Sequence, residues 1–258
     1  VRLDRDSYHT ERGEQLTLLG KISKGKIDRP PRVIVYGQAG VGKSTFASQW
    51  PDPLFIDAER RTEHLDVSRI EVDSWGEVTG IMGELIKAKE KPAKTIVFDT
   101  LDHIELMIHD HLCSLSGVTS IEDVGGGYGK GYTAAVNEWR RFVIGLEKLR
   151  AAGYGVLLLA HAHVKTFKNP LGEDYDKWQL KMNVKAGNFL REKADALGFA
   201  HFEDLVKEGK SSMDKGKGVT TGRRVLTFEH SAAFESKQGI NLPDEIGLSY
   251  EEFKCSGK

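Results

Sequence analysis

The sequence predicts an α/β domain with a mainly parallel central sheet, helices on both faces of that sheet, and β-rich additions towards the C-terminus. Short, continuous apolar runs that suit buried strands alternate with longer segments whose apolar residues recur at helical spacing. After residue 160 the pattern becomes richer in strands. Sheets of this kind bind their ligands at the carboxyl ends of the strands.

The individual elements follow in chain order. The run RVIVY is apolar and β-rich and ends at Gly37, and the segment from Trp75 to Ala88 has apolar residues at helical spacing. The predicted strands are 32–36, 54–57, 95–99, 154–160, 178–182, 196–202 and 224–230. The predicted helices are 43–50, 75–88, 101–115, 132–152 and 184–194. Two glycine-rich segments, 117–131 and 207–222, are predicted to be mobile loops.

Length and composition fit one large domain. The 258 residues suggest an N-terminal arm or linker at 1–30, followed by a domain over 31–258. With 37 basic and 38 acidic residues the net charge is −1, so contact with nucleic acid would have to come from local patches. No apolar run approaches the roughly 20 residues that span a bilayer, and no secretory signal is visible, so we expect no membrane partner and a cytoplasmic location. Cys113 and Cys255 lack zinc or redox spacing and are interpreted as free thiols.

The segment GQAGVGKS at 37–44 matches the phosphate-binding pattern GxxxxGK[ST], and it lies between a predicted strand and a predicted helix. Glycines let the backbone N–H groups approach phosphate oxygens, and the helix N-terminus adds partial positive charge. Lys43 suits the β- and γ-phosphates, and Ser44 offers a hydroxyl to Mg²⁺. The predicted nucleotide-binding residues are Gly37, Gln38, Ala39, Gly40, Val41, Gly42, Lys43, Ser44 and Thr45.

A carboxylate at the end of another strand completes the predicted metal site. TIVFD delivers Asp99 to the end of a buried strand, where it would hold Mg²⁺ together with Ser44. The alternative is an aspartate that caps the helix beginning near Leu101. No NKxD-like motif for guanine is present, which favours ATP over GTP.

Hydrolysis also needs a group that activates water, and Glu59, two residues beyond the strand LFID, is a candidate. On spacing alone, Glu59 is equally well a solvated side chain paired with Arg60 or Arg61. The histidine-rich segment around His109 lacks a convincing metal-ligand spacing, so it is interpreted as a solvated helix face.

At this point the residues resemble the RecA-like core ATPases. FIDAERRTEHLD is similar to the segment that carries the catalytic glutamate of RecA, and the resemblance assigns that role to Glu59. LLLAHAHVKTF is similar to the strand and loop that sense the γ-phosphate, which implies a catalytic, sensing role for His161. RecA has a glutamine at this position, but a neutral histidine can still donate one hydrogen bond to phosphate. The alternative is a histidine that only caps the strand end.

The nearest resemblance is to a phage-borne group of stand-alone RecA-like ATPases that includes single-strand annealing and recombination proteins. The resemblance covers residues 32–253 and rests on segments in the second half of the chain, such as DYDKWQLKM, LREKADALGFA and VLTFEHSAAFESKQGINLPDEI. The resemblance implies action on single-stranded DNA in the host cytoplasm, assembly into a ring or filament, and a single-strand binding protein as a candidate partner. A basic residue would complete the site of the next subunit, and the candidates are Lys165, Lys168, Arg191, Arg223 and Arg224.

The residues themselves give modest support for DNA binding. Cations on the strand backbone and aromatic rings under the bases are what single-strand binding needs. The candidate contacts are Lys130 in the glycine-rich loop and Lys165, Phe167 and Lys168 in a predicted loop at 163–185. Solvated loops remain the alternative interpretation. Two other functions stay open: an ATP-dependent motor of the helicase or packaging kind, and a nucleotide-gated regulatory module. A small-molecule kinase is less favoured because no lid segment is recognisable.

Overall fold

The first strand occupies the middle of a mixed sheet. The computed structural model describes residues 22–25, 29–207 and 217–256, and the sheet has ten strands among them. The strands are β1 (Arg32–Gly37), β2 (Pro53–Asp57), β3 (Ser68–Glu71), β4 (Thr95–Asp99), β5 (Gly155–Phe167), β6 (Tyr175–Leu180), β7 (Ala196–Lys207), β8 (Lys217–Thr227), β9 (Lys237–Gln238) and β10 (Glu245–Gly247). The helices are α1 (Lys43–Ser48), α2 (Trp75–Lys87), α3 (Leu101–Ser116), α4 (Lys130–Ala151), α5 (Val184–Lys193) and α6 (Tyr250–Ser256).

The strands follow the order β10-β8-β7-β1-β5-β4-β2-β3, with β6 paired to β5 and β9 paired to β7. Every pair from β7 through β1, β5, β4 and β2 to β3 is parallel. The later strands β6, β8, β9 and β10 pair antiparallel with their neighbours. The predicted fold class, a mainly parallel α/β sheet with β-rich C-terminal additions, is confirmed.

Burial on both faces explains the continuous apolar runs. All residues of β1 and β4 are buried, and successive side chains enter two different cores. Ile34 and Tyr36 contribute to the core under α2, α3, α4 and α5, whereas Val33 and Val35 contribute to the core under α1 and α6. This alternation is the period of two that a strand imposes on its side chains. The sheet is therefore covered on both faces, and its strand ends remain for the ligand.

The termini of two helices explain their lengths. The side chain of Ser74 accepts a hydrogen bond from the backbone N–H of Glu77, which caps the start of α2. Gly117, in the left-handed conformation with φ of 65°, ends α3. None of the helices in the described part of the chain is long and apolar enough to cross a membrane.

Several boundaries differ from prediction. β5 continues to Phe167 and forms a hairpin with β6, so the predicted loop at 163–185 is wrong over most of its length. The last four residues of the extension, Val164–Phe167, are exposed, so their place in the strand comes from antiparallel pairing with β6 and not from burial. The helix predicted from residue 132 begins at Lys130. The short elements β3, β9, β10 and α6 escaped prediction because none carries a long periodic pattern.

The remaining loop and domain predictions are only partly covered. Within 117–129, Gly125, Gly126, Gly127 and Gly129 all have positive φ, which glycine adopts without strain. The other predicted loop, 207–222, is replaced by strand at both ends, since β7 reaches Lys207 and β8 starts at Lys217. Its centre, 208–216, lies outside the described residues, as do 1–21 and 26–28 of the predicted N-terminal arm.

Candidate nucleotide-binding site

The segment GQAGVGKS forms a tight loop between β1 and α1. Gly40 and Gly42 have φ of 78° and 103°, and Gly42 is the N-cap residue of α1. A side chain at either position would force an L-residue into a backbone region that it rarely adopts. The Nζ of Lys43 donates hydrogen bonds to the carbonyl oxygens of Gly37 (3.1 Å) and Gln38 (3.0 Å). The lysine thus lies across its own loop.

Gly37 is required for a different reason than the other two glycines. A Cβ atom on Gly37 would lie 2.1 Å from the carbonyl oxygen of Ala200 on β7. The close contact is with a neighbouring strand, so the packing of β1 against β7 by itself requires a glycine at this position.

Lys43 and Asp99 are ionisable residues that are buried. Burial lowers the pKa of Lys43, an effect opposed by the carboxylates of Asp99, Asp102 and Glu59. Burial also raises the pKa of Asp99 to about 6, against the hydrogen bond from the Ser44 hydroxyl, which favours the charged form. The Ser44 Oγ lies 2.6 Å from Asp99 Oδ2. The Asp99–Thr100 peptide bond, which follows this strand end, is cis.

The pair formed by Ser44 and Asp99 fits a magnesium ion. A hydroxyl and a carboxylate are oxygen ligands of the kind that Mg²⁺ takes beside nucleotide phosphates. A divalent cation would also relieve the cost of burying the Asp99 carboxylate, whose nearby cation, Lys43, is turned towards its own loop. The residues on which the metal prediction rests are therefore brought together by the ends of β4 and β1.

Glu59 is positioned by the loop that follows β2. The two carboxylate oxygens of Asp57 accept hydrogen bonds from the backbone N–H groups of Arg60 (2.7 Å) and Thr62 (3.2 Å). The backbone N–H of Glu59 donates to the carbonyl oxygen of Asp99 (3.2 Å). These bonds tie the loop to the end of β4. The Glu59 side chain is only 15% exposed and lies 3.5 Å from an Arg61 nitrogen, so it also has the arginine partner considered as the alternative.

His161, on β5, faces Glu59 and is fixed by a residue that the sequence did not single out. Its Nε2 lies 3.8 Å from Glu59 Oε2, and its Nδ1 lies 2.9 Å from Asp102 Oδ2. The backbone N–H of His161 donates to the other Asp102 oxygen (3.0 Å). Burial alone would raise the pKa of Asp102, but the hydrogen bonds from His161 outweigh it and lower that pKa to about 2.

This arrangement corrects the expected behaviour of His161. An ionised Asp102 accepts a hydrogen bond from the Nδ1–H group, so a neutral ring has an unprotonated Nε2 that accepts hydrogen bonds. Only the imidazolium form can donate from Nε2 to a phosphate, contrary to the expectation of a neutral donor. The sequence feature that could have identified the partner of His161 is Asp102 itself, an acidic residue in the first turn of the helix that follows Asp99.

These side chains share one cavity of about 620 Å³ at the carboxyl ends of the parallel strands. It is lined by Ala39, Gly40, Gly42, Lys43, Ser44, Thr45, Glu59, Arg60, Arg61, Glu63, His64, Asp99, Thr100, His161 and Arg224. Arg224 was a candidate for completing a neighbouring subunit's site. Here its Nη1 lies 3.0 Å from the place of a Cβ on Gly42 of its own chain.

The predicted DNA contacts lie elsewhere. Lys165 and Phe167 are on the exposed part of β5, and Lys168 follows that strand and forms a salt bridge with Asp174. Lys130 begins α4, and its Nζ donates to the carbonyl oxygen of Gly125 (3.2 Å). The structure thus groups Lys165 with Phe167 and gives Lys130 and Lys168 partners of their own.

Comparison with known proteins gives a family. The sequence pattern of a family described as an AAA domain matches residues 29–239. The chain belongs to this AAA domain family. The family assignment and the loop geometry together identify a P-loop ATPase domain. No curated protein matches the chain. Among solved structures, a KaiC-like protein from the hyperthermophilic archaeon Pyrococcus horikoshii OT3 is similar over 76% of this chain and 77% of that chain, at 13% identity and a TM-score of 0.40.

Proposed function

We propose that this AAA-family chain binds ATP with Mg²⁺ and hydrolyses it, and that hydrolysis is coupled to single-stranded DNA in phage recombination or single-strand annealing. One observation carries the proposal: Glu59 and His161 face the same cavity as Lys43, Ser44 and Asp99. Phosphate-binding groups, a metal pair and a carboxylate able to activate water are the parts that phosphoryl transfer to water needs.

Binding begins with an exchange of partners by Lys43. Its ammonium group gives up the carbonyl oxygens of Gly37 and Gln38 for phosphate oxygens, which are stronger acceptors because they are charged. The guanidinium of Arg224, beside Gly42, adds a second cation from the same chain. Ser44 and Asp99 would hold the Mg²⁺, which would neutralise charge on the phosphates when bound.

The hydrolytic step uses Glu59 as the general base. Its carboxylate orients a water molecule and takes a proton as the water oxygen bonds to the γ-phosphorus and the bond to the β-bridging oxygen breaks, giving ADP and phosphate. The unprotonated Nε2 of His161, 3.8 Å from Glu59 Oε2, is the next acceptor for this proton. The Asp102 carboxylate stabilises the resulting imidazolium, which then donates a hydrogen bond to phosphate.

The DNA part of the proposal is supported by the continuity of β5. His161, at the cavity, and Phe167, in the exposed hairpin, belong to the same strand. Residues paired across the hairpin share a face, and the pairs Lys165 with Lys177 and Phe167 with Tyr175 put two cations and two rings on one face. The Phe167 and Tyr175 ring centroids are 5.3 Å apart, and the Lys177 Nζ is 5.7 Å from the Phe167 centroid.

The charge pattern of this hairpin face suits a strand of nucleic acid. Lys165 lies directly opposite Lys177, and like charges in this position destabilise a sheet unless an anion neutralises them. A phosphate backbone supplies such anions, and bases stack on aromatic rings whatever their sequence. Assembly into a ring or filament and a single-strand binding protein as partner belong to the same proposal and rest on the resemblance to recombination ATPases.

The test is ATP hydrolysis with Mg²⁺, measured by phosphate release with and without oligo-dT, using Lys43→Ala as the inactive control. We expect hydrolysis that requires Lys43 and rises with single-stranded DNA. Hydrolysis that is indifferent to DNA would contradict the DNA coupling and favour the nucleotide-gated regulatory module. Equal phosphate release by Lys43→Ala would contradict the assignment of the site.

A further inference from the structure

Three potential metal ligands meet at the nucleotide cavity, and two of them, Glu59 and His161, line it. Glu59 comes from the loop after β2, His103 from the first turn of α3, and His161 from β5. One ligand atom from each of the three lies within 4.8 Å of the others. They form a cluster that neither the P-loop pattern nor the histidine spacing in α3 predicts, because its members are distant in sequence. We call it the Glu59–His103–His161 cluster.

The ring of His161 is held as metal ligands usually are, and the ring of His103 also has a hydrogen-bond partner. The Nδ1 of His161 is held by Asp102 Oδ2 at 2.9 Å, and the Nδ1 of His103 lies 2.8 Å from the Thr100 hydroxyl oxygen. In metal sites, a histidine commonly has its second ring nitrogen hydrogen-bonded to a carboxylate or another oxygen, which fixes the ring. The catalytic proposal uses the bond from Asp102, but it gives no role to His103 or to its bond with Thr100.

The geometry and chemistry of the cluster favour a transition metal over Mg²⁺. Two imidazoles and one carboxylate are a ligand set for Zn²⁺ or Co²⁺, whereas Mg²⁺ prefers oxygen ligands. Tetrahedral bonds of about 2.0–2.1 Å would put the ligand atoms about 3.3 Å apart. The 3.8 Å between His161 Nε2 and Glu59 Oε2, and the limit of 4.8 Å on the other two pairs, are wider than this, so binding requires side-chain rotations that draw the three ligand atoms together. The side chains are 14%, 35% and 15% exposed for His161, His103 and Glu59, which leaves the cluster open to solvent ions.

We propose that Glu59, His103 and His161 bind a divalent transition metal of the Zn²⁺ class, at a site separate from the magnesium pair Ser44 and Asp99. Three protein ligands leave a fourth position for water or for a phosphate oxygen of a bound nucleotide. An occupied site withdraws Glu59 and Nε2 of His161 from proton transfer, so the metal inhibits hydrolysis. This inhibition rests on the proposed function of Glu59, whereas the binding of the metal does not.

The binding test uses the tag-free, nucleotide-free full chain. Co²⁺ is titrated while its visible d–d absorption is recorded, and Zn²⁺ binding is measured by calorimetry and by displacement of Co²⁺. We expect one saturable site in the wild type. Removal of an orienting neighbour of a metal ligand typically weakens binding 10- to 100-fold, so His103→Gln, which removes a ligand, should weaken it by at least about 100-fold.

Matched variants separate this site from others in the chain. His111→Gln changes a histidine on the same helix outside the cluster and should bind as the wild type does. Glu59→Gln, an independent ligand change, should weaken binding as His103→Gln does, with circular dichroism confirming that both variants fold. Equal affinity in the wild type and His103→Gln, no saturable binding, or a thiolate charge-transfer band from Cys113 or Cys255 would each overturn the site.

A second measurement separates the metal site from the proposed ATPase function. Lys43→Ala should abolish hydrolysis and keep Co²⁺ binding. In the wild type, Zn²⁺ should inhibit hydrolysis in the presence of excess Mg²⁺, and His103→Gln should resist this inhibition. If the wild type hydrolyses no ATP, the proposed function fails while the Co²⁺ titration still decides the site. Binding without inhibition would support the site and contradict the role of Glu59 in hydrolysis.

Discussion

At the residue scale, Glu59 is the side chain that separates nucleotide binding from hydrolysis. The Glu59→Gln variant keeps the shape and the loop but cannot take a proton. We expect the rate of phosphate release to fall by about 10²- to 10⁴-fold, the usual contribution of a general base, while the Kd for ATP changes little. Phosphate release and titration with a fluorescent ATP analogue measure the two quantities. The matched control is Glu63→Gln, an exposed carboxylate of the same cavity. Unchanged turnover in Glu59→Gln would show that another group activates water.

Asp99 gives the protein a pH dependence of stability that nucleotide-free samples reveal. Burial raises its pKa from 3.8 to about 6. The folded protein therefore holds this proton more tightly than the unfolded chain, and the contribution of Asp99 to stability falls as the pH rises from about 4 to about 6. Relative to Asp99→Asn, which cannot titrate, the wild type should lose up to about 3 kcal/mol of unfolding free energy across this window.

Urea denaturation of both proteins between about pH 4 and pH 8, without Mg²⁺ or nucleotide, measures this difference. Asp66→Asn, which changes an exposed carboxylate, serves as the control and should run parallel to the wild type. Curves of wild type and Asp99→Asn that stay parallel over the whole range would contradict the raised pKa.

The phosphate-binding motif does not identify every residue of the site. GxxxxGK[ST] identifies Lys43 and Ser44 because the chemistry is local: both follow directly from the loop that holds them. Asp102 and His103 belong to no motif. Their roles depend on α3 and β5 meeting at the sheet edge, and a residue in β5 is separated from them by most of α3 and all of α4. Proximity of that kind follows from the order of the strands in the sheet, which cannot be read from a single sequence.

At the element scale, the contact between β1 and β7 depends on a missing side chain. Gly37→Ala would drive a Cβ into the backbone of Ala200, and a backbone cannot move aside without shifting β7. Gly40→Ala meets no atom within 4 Å and carries only the strain of its positive φ. We expect Gly40→Ala to cost about 1 kcal/mol of unfolding free energy and Gly37→Ala at least about 2 kcal/mol, by denaturant titration. Equal costs would mean that the sheet accommodates the methyl group.

The hairpin of β5 and β6 is the second element with a testable charge pattern. On a single strand, each phosphate that the protein no longer neutralises lowers the slope of log K against log salt by about 0.7. Lys165→Ala with Lys177→Ala should therefore reduce the slope for oligo-dT binding by about 1.4, measured by fluorescence anisotropy over a salt series. Because these lysines oppose each other, the double variant should unfold no more easily than the wild type.

The control for the hairpin is a pair of exposed lysines at the end of α2, Lys87→Ala with Lys89→Ala, which should leave the salt slope unchanged. A hairpin variant with an unchanged slope would remove these two lysines from the DNA interface. Lys168, which the sequence predicts as a DNA contact, is not changed in this variant because it forms a salt bridge with Asp174 in the structure.

At the scale of the whole molecule, the nucleotide and the hairpin are joined by one strand. We expect the Kd for oligo-dT to differ between the ATP-analogue, ADP and nucleotide-free states, because His161 meets the nucleotide cavity and its strand continues into the hairpin. His161→Ala should make the three affinities converge while keeping DNA binding, because the hairpin residues are unchanged. Equal affinity of the wild type in all three states would remove the coupling.

Much of the fold was predictable because its buried strands carry their own signal. β1 and β4 have continuous apolar centres and end at a glycine and an aspartate, so the parallel sheet and its ligand-binding edge follow from the sequence. The exposed end of β5 and the short strands could not be predicted in the same way. The exposed end of β5, Val164–Phe167, gains its structure from pairing with β6 and not from burial, so it does not continue the buried apolar run that the sequence reveals.

The place of β1 in the sheet also has a consequence for synthesis. Its two partners, β5 and β7, pair with Arg32 and Val33 through Val156 and Ala196, more than 120 residues further along the chain. A ribosome adding about 5–20 residues per second needs roughly 6–25 s to make that stretch. During this time β1, whose Val33, Ile34 and Val35 are fully buried in the folded protein, has no neighbouring strand. A chaperone that shields it should raise the yield of active protein, and slow translation without one should promote aggregation.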